Sequence, residues 1–274
     1  MLTVMPELPE VETVRSGLER LLEGAVIRTV TCTRPDLRRL IPVDLGGRLA
    51  CQPIVAVRRR AKYLILATPV GGLLCHLGMT GTWRIAPAGD DRTHDHCRIE
   101  LVDGRRLVFR DPRRFGLLDW IGPDFRHPDL DRLGPEPLDP SAFDVAYLRA
   151  ACRGRKVAIK PLIMDQAVVV GVGNIYAQEA LFRARIRPNK AAGRVTVEAL
   201  GELVTAIRVI LAEAIAAGGS TINDFQHAGG EEGWFQHQFQ VYGKVGQPCP
   251  ICTGALRGGT IGGRTTVWCR RCQR

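Results

Sequence analysis

Pro6 and Glu7 open a stretch, Pro6-Glu7-Leu8-Pro9-Glu10-Val11-Glu12, that places two prolines and three carboxylates within seven residues. Were Pro6 the first residue, its nitrogen would be a secondary amine beside a carboxylate. A terminal amine has a pKa of about 7.7–8.0, against about 10.4 for lysine, so near pH 7 about a tenth of it is free base. Such an amine attacks an electrophilic sugar or carbonyl carbon and leaves a Schiff base. The same residues also read as the start of a helix. Pro6 and Pro9 would then lie about its first turn, with Glu10 and Glu12 against the positive end of the dipole. The stretch alone leaves both readings open.

A second cluster lies at the other end of the chain. Cys249-x-x-Cys252 is followed, after sixteen residues, by Cys269-x-x-Cys272. Two such knuckles supply four thiolates, the tetrahedral set that binds zinc when no position is left for water. One structural zinc ion is expected, as a staple for a segment too short to build its own core. Gly258-Gly259 and Gly262-Gly263 lie between the knuckles and suit the tip of a β-hairpin. The other cysteines, Cys32, Cys51, Cys75, Cys97 and Cys152, read as small buried apolar residues.

Three further clusters are ambiguous by themselves. Arg58-Arg59-Arg60-Ala61-Lys62-Tyr63 fits a strand end facing phosphates, and equally a solvated edge blunted by charge. Asp111-Pro112-Arg113-Arg114-Phe115-Gly116 places arginines and an aromatic ring at a turn. Arginine can grip a base edge and an apolar ring can wedge between base steps, but an ordinary surface turn reads the same way. Gly171-Val172-Gly173-Asn174 lacks the third glycine of a dinucleotide loop, because Tyr176 holds that place. A glycine turn opening onto a helix N-terminus can still bind one backbone phosphate.

The elements that would carry these groups follow from composition and periodicity. The chain has 274 residues, 45% of them hydrophobic, a net charge of +10 and a pI near 9.5. That balance points to a polyanionic partner, nucleic acid ahead of membrane. No uncharged apolar run reaches the ~18 residues of a membrane span, and residues 204–217 are interrupted by Arg208 and Glu213. Residues 1–4 do not resemble a signal peptide, and a reducing, cytoplasmic location is expected. Val11, Val14, Leu18, Leu21 and Leu22 recur at helical spacing, with Gly24 as a stop. Residues 25–120 then change to short β-type runs, among them 54–66, 73–85 and a hairpin turning at Asp103-Gly104. A proline-rich break over residues 134–140 separates these from a helical region over 142–218. There, Thr196 is an expected N-cap, and Leu200, Leu203, Ile207 and Ile210 share a face.

Taken in order, Met5 to Glu12, His76-Leu77-Gly78-Met79, His94-Asp95-His96, Asp111 to Gly116, Leu133-Gly134-Pro135-Glu136-Pro137, Gly171 to Ala177 and the four cysteines resemble one family. It is the formamidopyrimidine-DNA glycosylase/endonuclease VIII family of bifunctional DNA repair enzymes, and the likeness runs from Met5 to Arg274. The endonuclease VIII branch, which prefers oxidised pyrimidines, usually has glycine where Leu8 stands. It also lacks the Asp111 to Gly116 pattern in this form, so the purine branch is the better match.

The resemblance implies an α+β fold of two domains. A β-sandwich with a leading helix would span residues 5–132, a linker 133–141, a helix–two-turns–helix domain 142–232 and a zinc-bearing hairpin 239–274. It implies a monomer acting on damaged double-stranded DNA, with no membrane partner, and removing 8-oxoguanine and formamidopyrimidines. The damaged nucleotide would be flipped out of the stack, because its anomeric carbon cannot be reached inside a duplex. Pro6 would displace the base while Glu7 shuttles protons, which calls for a nearly dry carboxyl. Successive β- and δ-elimination would then leave a one-nucleotide gap.

The family's other roles carry over by position. Lys62 matches the proton donor of β-elimination, and Arg264 the arginine of δ-elimination. His94, Arg113 and Arg155 match DNA contacts, although the run Arg153-Gly154-Arg155-Lys156 leaves the register of the last one open. Met79, Arg113 and Phe115 match the trio that fills the void left by the flipped base, with Arg113 facing the orphaned cytosine. Lys160 and Asn174 match residues that hold phosphates around the lesion. Lys62 and His94 also fit plain phosphate contacts. Residues 220–234 have the composition of a base-capping loop. An amide nitrogen cannot form the iminium, and residues 1–4 match no part of the family pattern. Translation from Met5 with removal of that methionine is therefore expected. A non-catalytic DNA-binding protein of the same fold, or a glycosylase for oxidised pyrimidines, are the alternatives.

Chelation, or the double change Cys249→Ser, Cys252→Ser, is expected to abolish duplex binding in a gel-shift titration. Undiminished binding and cutting would contradict a structural metal.

Overall fold

The computed structural model describes residues 5–87, 89–219 and 235–274. Residues 1–4 and the expected base-capping loop, 220–234, lie outside the described residues. The chain forms two compact units divided between Asp131 and Arg132, with residues 217–219 counted in the first and 235–274 in the second.

The first unit begins with α1 (Leu8–Leu22), whose Val11, Val14, Leu18 and Leu22 are buried. Glu7 is its N-cap, and a reciprocal capping box joins it to Glu10. The Glu10 carboxylate accepts the Glu7 N–H at 2.9 Å, and the Glu7 side chain accepts the Glu10 N–H. Two orphan donors at the helix start are thereby satisfied. The strands that follow are β1 (Ile27–Cys32), β2 (Ala56–Arg60), β3 (Tyr63–Thr68), β4 (Gly71–His76), β5 (Thr82–Ala86), β6 (Asp95–Leu101), β7 (Arg106–Arg110) and β8 (Leu117–Ile121). They pair antiparallel into two sheets ordered β1-β6-β7-β5 and β2-β3-β4-β8. Ile27, Cys97, Ile99, Leu107 and Phe109 from one sheet share a core with Val57, Leu64, Leu66, Leu73 and Cys75 from the other, and with α1. The β2–β8 sheet also buries its opposite face, where Ile65, Ala67, Leu74, Leu117 and Ile121 form a separate cluster. This is why β4 is buried at every position instead of alternating.

Four details differ from the sequence reading. The run over 54–66 is two strands, broken by a turn in which Ala61 takes a φ of 54°. The run over 73–85 is likewise broken between β4 and β5. A short helix, α2 (Leu45–Leu49), buries Leu45 and Leu49 four residues apart, with Gly46-Gly47 obscuring its pattern. Nor are the scattered cysteines uniformly buried. Cys75, Cys97 and Cys152 are, but Cys32 is half-buried and Cys51 is exposed at a φ of 63°. A last short helix, α3 (Pro128–Asp131), closes the unit.

The second unit contains α4 (Val145–Cys152), α5 (Ile159–Met164), α6 (Asn174–Arg183), α7 (Val197–Ala216) and the hairpin of β9 (Arg257–Ile261) and β10 (Arg264–Trp268). Asp144 caps α4 by accepting the Tyr147 N–H at 2.7 Å. Thr196 accepts the Ala199 N–H at 3.3 Å at the start of α7. Leu200, Leu203, Ile207 and Ile210 are buried, as their spacing predicts. The hairpin tip is Gly262-Gly263 alone, with φ of 60° and 71°. Gly258-Gly259 instead lie within β9, where a Cβ would come 2.8 Å from Val245 and 3.1 Å from Trp268.

Helix α6 fastens this hairpin through two buried side chains. The Glu179 carboxylate accepts the N–H groups of Gln240, Val241 and Tyr242 at 2.9, 2.9 and 2.7 Å. Gln178 accepts the Val267 N–H at 2.6 Å and donates to Thr265 O at 3.2 Å. No helix among the described residues is long and apolar enough to cross a membrane. Glu179→Gln keeps the shape but loses the charge and one of the two acceptor oxygens. It is expected to destabilise the protein by about 2 kcal/mol in urea unfolding, the cost of buried donors left poorly matched.

Candidate active site

Pro6 and Glu7 are buried at the start of α1, Glu7 with only 2% of its surface exposed. The helix is tied to β2 by charge. Glu12 accepts from Arg59 at 2.6 Å on one oxygen and from Arg15 at 2.6 Å on the other, and Arg15 reaches Val57 O at 3.3 Å. Arg58 sits 4.5 Å from the centre of the Phe125 ring. Arg58, though exposed, and Arg59 thus each have a contact within the unit, and Lys62 is the member of that basic run placed in the tight turn between β2 and β3. Lys62 is itself buried. Beside it, Tyr63 pairs with His76 across β3 and β4, their rings edge-to-face at 4.9 Å. Burial, helped by the Lys62 charge, pushes His76 down to about 3. Its Nδ1 accepts the Gly78 N–H at 2.9 Å, so the neutral ring carries its proton on Nε2. The sequence reading gave His76 no role, because a histidine's tautomer becomes visible only through its partners.

Met79, Arg113 and Phe115 lie on two loops that interlock. Asp111, 0% exposed, accepts the Thr80 hydroxyl at 2.6 Å and the Gly116 N–H at 2.7 Å. Thr80 Oγ1 in turn accepts the Arg113 N–H at 3.1 Å. Gly78 has a φ of +65°, and a Cβ on it would meet the Phe115 carbonyl carbon at 2.4 Å, so no larger residue fits. The Arg113 guanidinium lies 4.9 Å from the centre of the exposed Phe115 ring, a cation–π contact. The same Asp111 fixes the His94 segment. Its N–H donates to His94 O at 3.1 Å, and its carbonyl accepts from His96 Nε2 at 2.9 Å. His94 is exposed, with a φ of 74°, a conformation a non-glycine residue holds only when its surroundings impose it. The structure thus ties the segments of His94, Met79, Arg113 and Phe115 to one residue, Asp111, through its carboxylate on the two loops and its backbone on the His94 segment. The sequence places Asp111 and Thr80 inside motifs without indicating that they touch.

Lys160, Asn174, Arg155 and Arg264 belong to the second unit. Lys160 is completely buried, and its Nζ donates to Asn174 Oδ1 at 2.6 Å and Thr266 Oγ1 at 2.9 Å. Asn174 opens α6 and donates from Nδ2 to Thr265 O at 3.2 Å. Lys160, Asn174 and the hairpin strand are therefore one assembly at a helix N-terminus, where anions are favoured. Arg264 is exposed directly after the hairpin tip. Arg155 is exposed in the turn after α4, with its carbonyl accepting the Gly193 N–H at 3.0 Å.

The four C-terminal cysteines come together as expected. Their sulfurs all lie within 4.8 Å of one another, with Cys249 and Cys272 at 3.9 Å and Cys252 and Cys269 at 3.5 Å. Sulfurs about 2.3 Å from a tetrahedral ion would be about 3.8 Å apart. The cluster therefore has the dimensions to hold a metal ion.

Thr80→Val removes both hydrogen bonds that the Thr80 hydroxyl makes, at nearly constant volume. It is expected to cost about 1–2 kcal/mol of stability and to weaken binding to lesion-containing duplex several-fold in fluorescence anisotropy. Thr80→Ser, which keeps the hydroxyl, should restore binding.

The model of the formamidopyrimidine-DNA glycosylase N-terminal domain matches residues 5–118, and that of the formamidopyrimidine-DNA glycosylase H2TH domain matches residues 133–226. The formamidopyrimidine-DNA glycosylase of Stenotrophomonas maltophilia is 52% identical over 272 residues, covering 98% of this chain and 100% of the relative. That of Bdellovibrio bacteriovorus is 49% identical over 271 residues with the same coverage. Among solved structures, the MutM (Fpg) protein from Thermus thermophilus has a TM-score of 0.88 at 40% identity, covering 98% of each chain. The Lactococcus lactis Fpg, in complex with DNA containing an abasic site, has a TM-score of 0.90 at 34% identity, covering 98% of this chain and 99% of that one. The likeness runs the length of the chain in sequence and in backbone alike, and the chain belongs to the formamidopyrimidine-DNA glycosylase family.

Proposed function

We propose that this chain excises oxidised purines from duplex DNA and cuts the strand through a Schiff base on Pro6. Its full-length relatives bear that enzyme's name, and its structural neighbours include Fpg bound to DNA containing Fapy-dG and MutM bound to DNA containing carbocyclic 8-oxo-G. The observation that carries the reading is the pairing of Pro6 with a buried, helix-capping Glu7 at the start of a chain otherwise matched to that family throughout.

In the first step the Pro6 nitrogen lone pair forms a bond to the anomeric carbon as the bond to the base breaks. The base leaves with the electron pair and takes up a proton. Glu7 collects the proton that the amine sheds and returns it as the sugar ring opens to the iminium. The iminium acidifies the neighbouring sugar carbon. Loss of that proton expels the phosphate on the 3′ side, and a second elimination expels the one on the 5′ side. Lys62, buried in its turn, supplies a proton in the first elimination, and Arg264 serves the second. His94, Arg113 and Arg155 contact DNA, while Met79, Arg113 and Phe115 occupy the space of the displaced nucleotide. Asn174 meets a phosphate, with Lys160 behind it supplying charge and holding its amide. Cys249, Cys252, Cys269 and Cys272 would hold one zinc ion, which fixes the hairpin carrying Arg264 and takes no part in the chemistry. The net charge of +10 makes binding strongly salt-dependent.

The nucleophile requires Pro6 to be the first residue of the working protein, so its exposure, by initiation at Met5 and removal of that methionine or by other processing, belongs to the proposal. Borohydride added to the native protein with 8-oxoguanine duplex is expected to trap a covalent adduct, with the DNA on a peptide that begins at Pro6. Tight binding without an adduct would indicate a DNA-binding protein without catalysis. An adduct mapped to a lysine would overturn the assignment of Pro6.

A further inference from the structure

Cys32 and Cys97 face each other across β1 and β6, where the antiparallel register sets one opposite the other. The neighbouring pair is joined by a hydrogen bond from Thr33 N–H to His96 O at 2.9 Å. Cys32 and Cys97 are thus a non-hydrogen-bonded pair, the position where facing Cα atoms approach to about 4.5 Å and side chains are closest. That spacing lies at the short end of the range disulfides span, about 4.4–6.8 Å. The two sulfurs are 3.0 Å apart, already nearer than the roughly 4 Å of ordinary contact. About 1 Å of movement separates them from a bond of about 2.05 Å.

We propose that Cys32 and Cys97 are a thiol–disulfide modification site, which hydroperoxides close to an intramolecular disulfide and dithiol reductants reopen. The two sulfurs are unequal in the way such a reaction needs. Cys32 is half-buried, whereas Cys97 is fully buried, so of the two Cys32 is the nearer to solvent. A hydrogen bond to Cys97 lowers the Cys32 pKa, and the same contact raises that of Cys97 well above its ordinary value. Cys32 is therefore the attacking thiolate. With hydrogen peroxide, its sulfur forms a bond to one oxygen as the O–O bond breaks, giving a sulfenic acid, and the other oxygen takes up a proton and leaves as water. The Cys97 thiol then attacks the Cys32 sulfur, forming S–S and releasing a second water; the two electrons lost by sulfur reside on the peroxide oxygens. Cys75, beside the pair, takes no part. Its thiol is held at about 12 by burial, and its sulfur accepts the Trp83 indole N–H at 3.3 Å. Closure keeps the existing register and adds a covalent tie beside the His94 to His96 segment.

The test treats the zinc-loaded protein with a small excess of hydrogen peroxide, alkylates the remaining thiols and digests with trypsin. Trypsin does not cut before Pro35, so the pair would appear as peptide 29–38 joined to peptide 93–98. The expected result is that cross-linked species, reversed by dithiothreitol, with the oxidised protein melting at or above the temperature of the reduced one. In Cys32→Ser both the cross-link and any gain in melting temperature should vanish. Cys32 and Cys97 recovered separately after oxidation, whether alkylated or as sulfinic acids, would overturn the proposal. So would an oxidised form that melts lower than the reduced one.

Discussion

A charged side chain removed from water has to find its partners inside the protein, and this chain places such groups at its working joints. Leaving such a group short of a hydrogen-bond partner costs about 1–3 kcal/mol or more, and because hydrogen bonds are directional these groups fix the position of the backbone segments they meet. Asp111 joins the loops of Met79 and Phe115 and fixes His94 from behind. Glu179 gathers three successive N–H groups at the approach to the hairpin. Lys160 links α5, the start of α6 and β10 through its ammonium. Each connects segments far apart in sequence, and Asp111 and Lys160 do so next to residues proposed to meet DNA.

The helical start at Pro6 and Glu7 illustrates how two readings of one stretch can both be physical. Glu7 caps α1 in a reciprocal box with Glu10, which is the conformational reading. It is also nearly dry, as a proton shuttle would be. The two roles are compatible because an N-terminal carboxylate is stabilised by the helix dipole while it remains next to the residue before it. Tying α1 to β2 through Glu12, Arg15 and Arg59 sets where that carboxylate lies relative to the Lys62 turn.

Much of this was legible in the sequence, where local rules suffice. The spacing of Val11, Val14 and Leu18 gives α1, Asp103-Gly104 gives the turn from β6 to β7, and two CxxC knuckles give a metal-sized cluster. What was not legible depended on contacts between distant residues. Nothing local announces that Ala61 adopts a positive φ and splits a strand pair, or that Arg58 lies against Phe125 and Arg59 against Glu12. The tip of the hairpin was legible only to within two glycine pairs, because Trp268 and Val245, which crowd Gly258-Gly259, come from other segments. Cys32 and Cys97 looked like two unrelated apolar residues, since 65 positions separate them and only the sheet register brings them face to face.

The close approach of Gly78 to Phe115 divides the site into parts that can and cannot drift under selection. A lineage cannot enlarge Gly78 without moving the Phe115 backbone, and it cannot lose Asp111 or Thr80 without loosening both loops at once. The side chains at positions 79, 113 and 115 are half-buried or exposed, and exchanging one of them leaves that frame intact. If those three side chains meet the DNA as proposed, single substitutions at the tips could change what the site accepts while Gly78, Thr80 and Asp111 keep the frame beneath them.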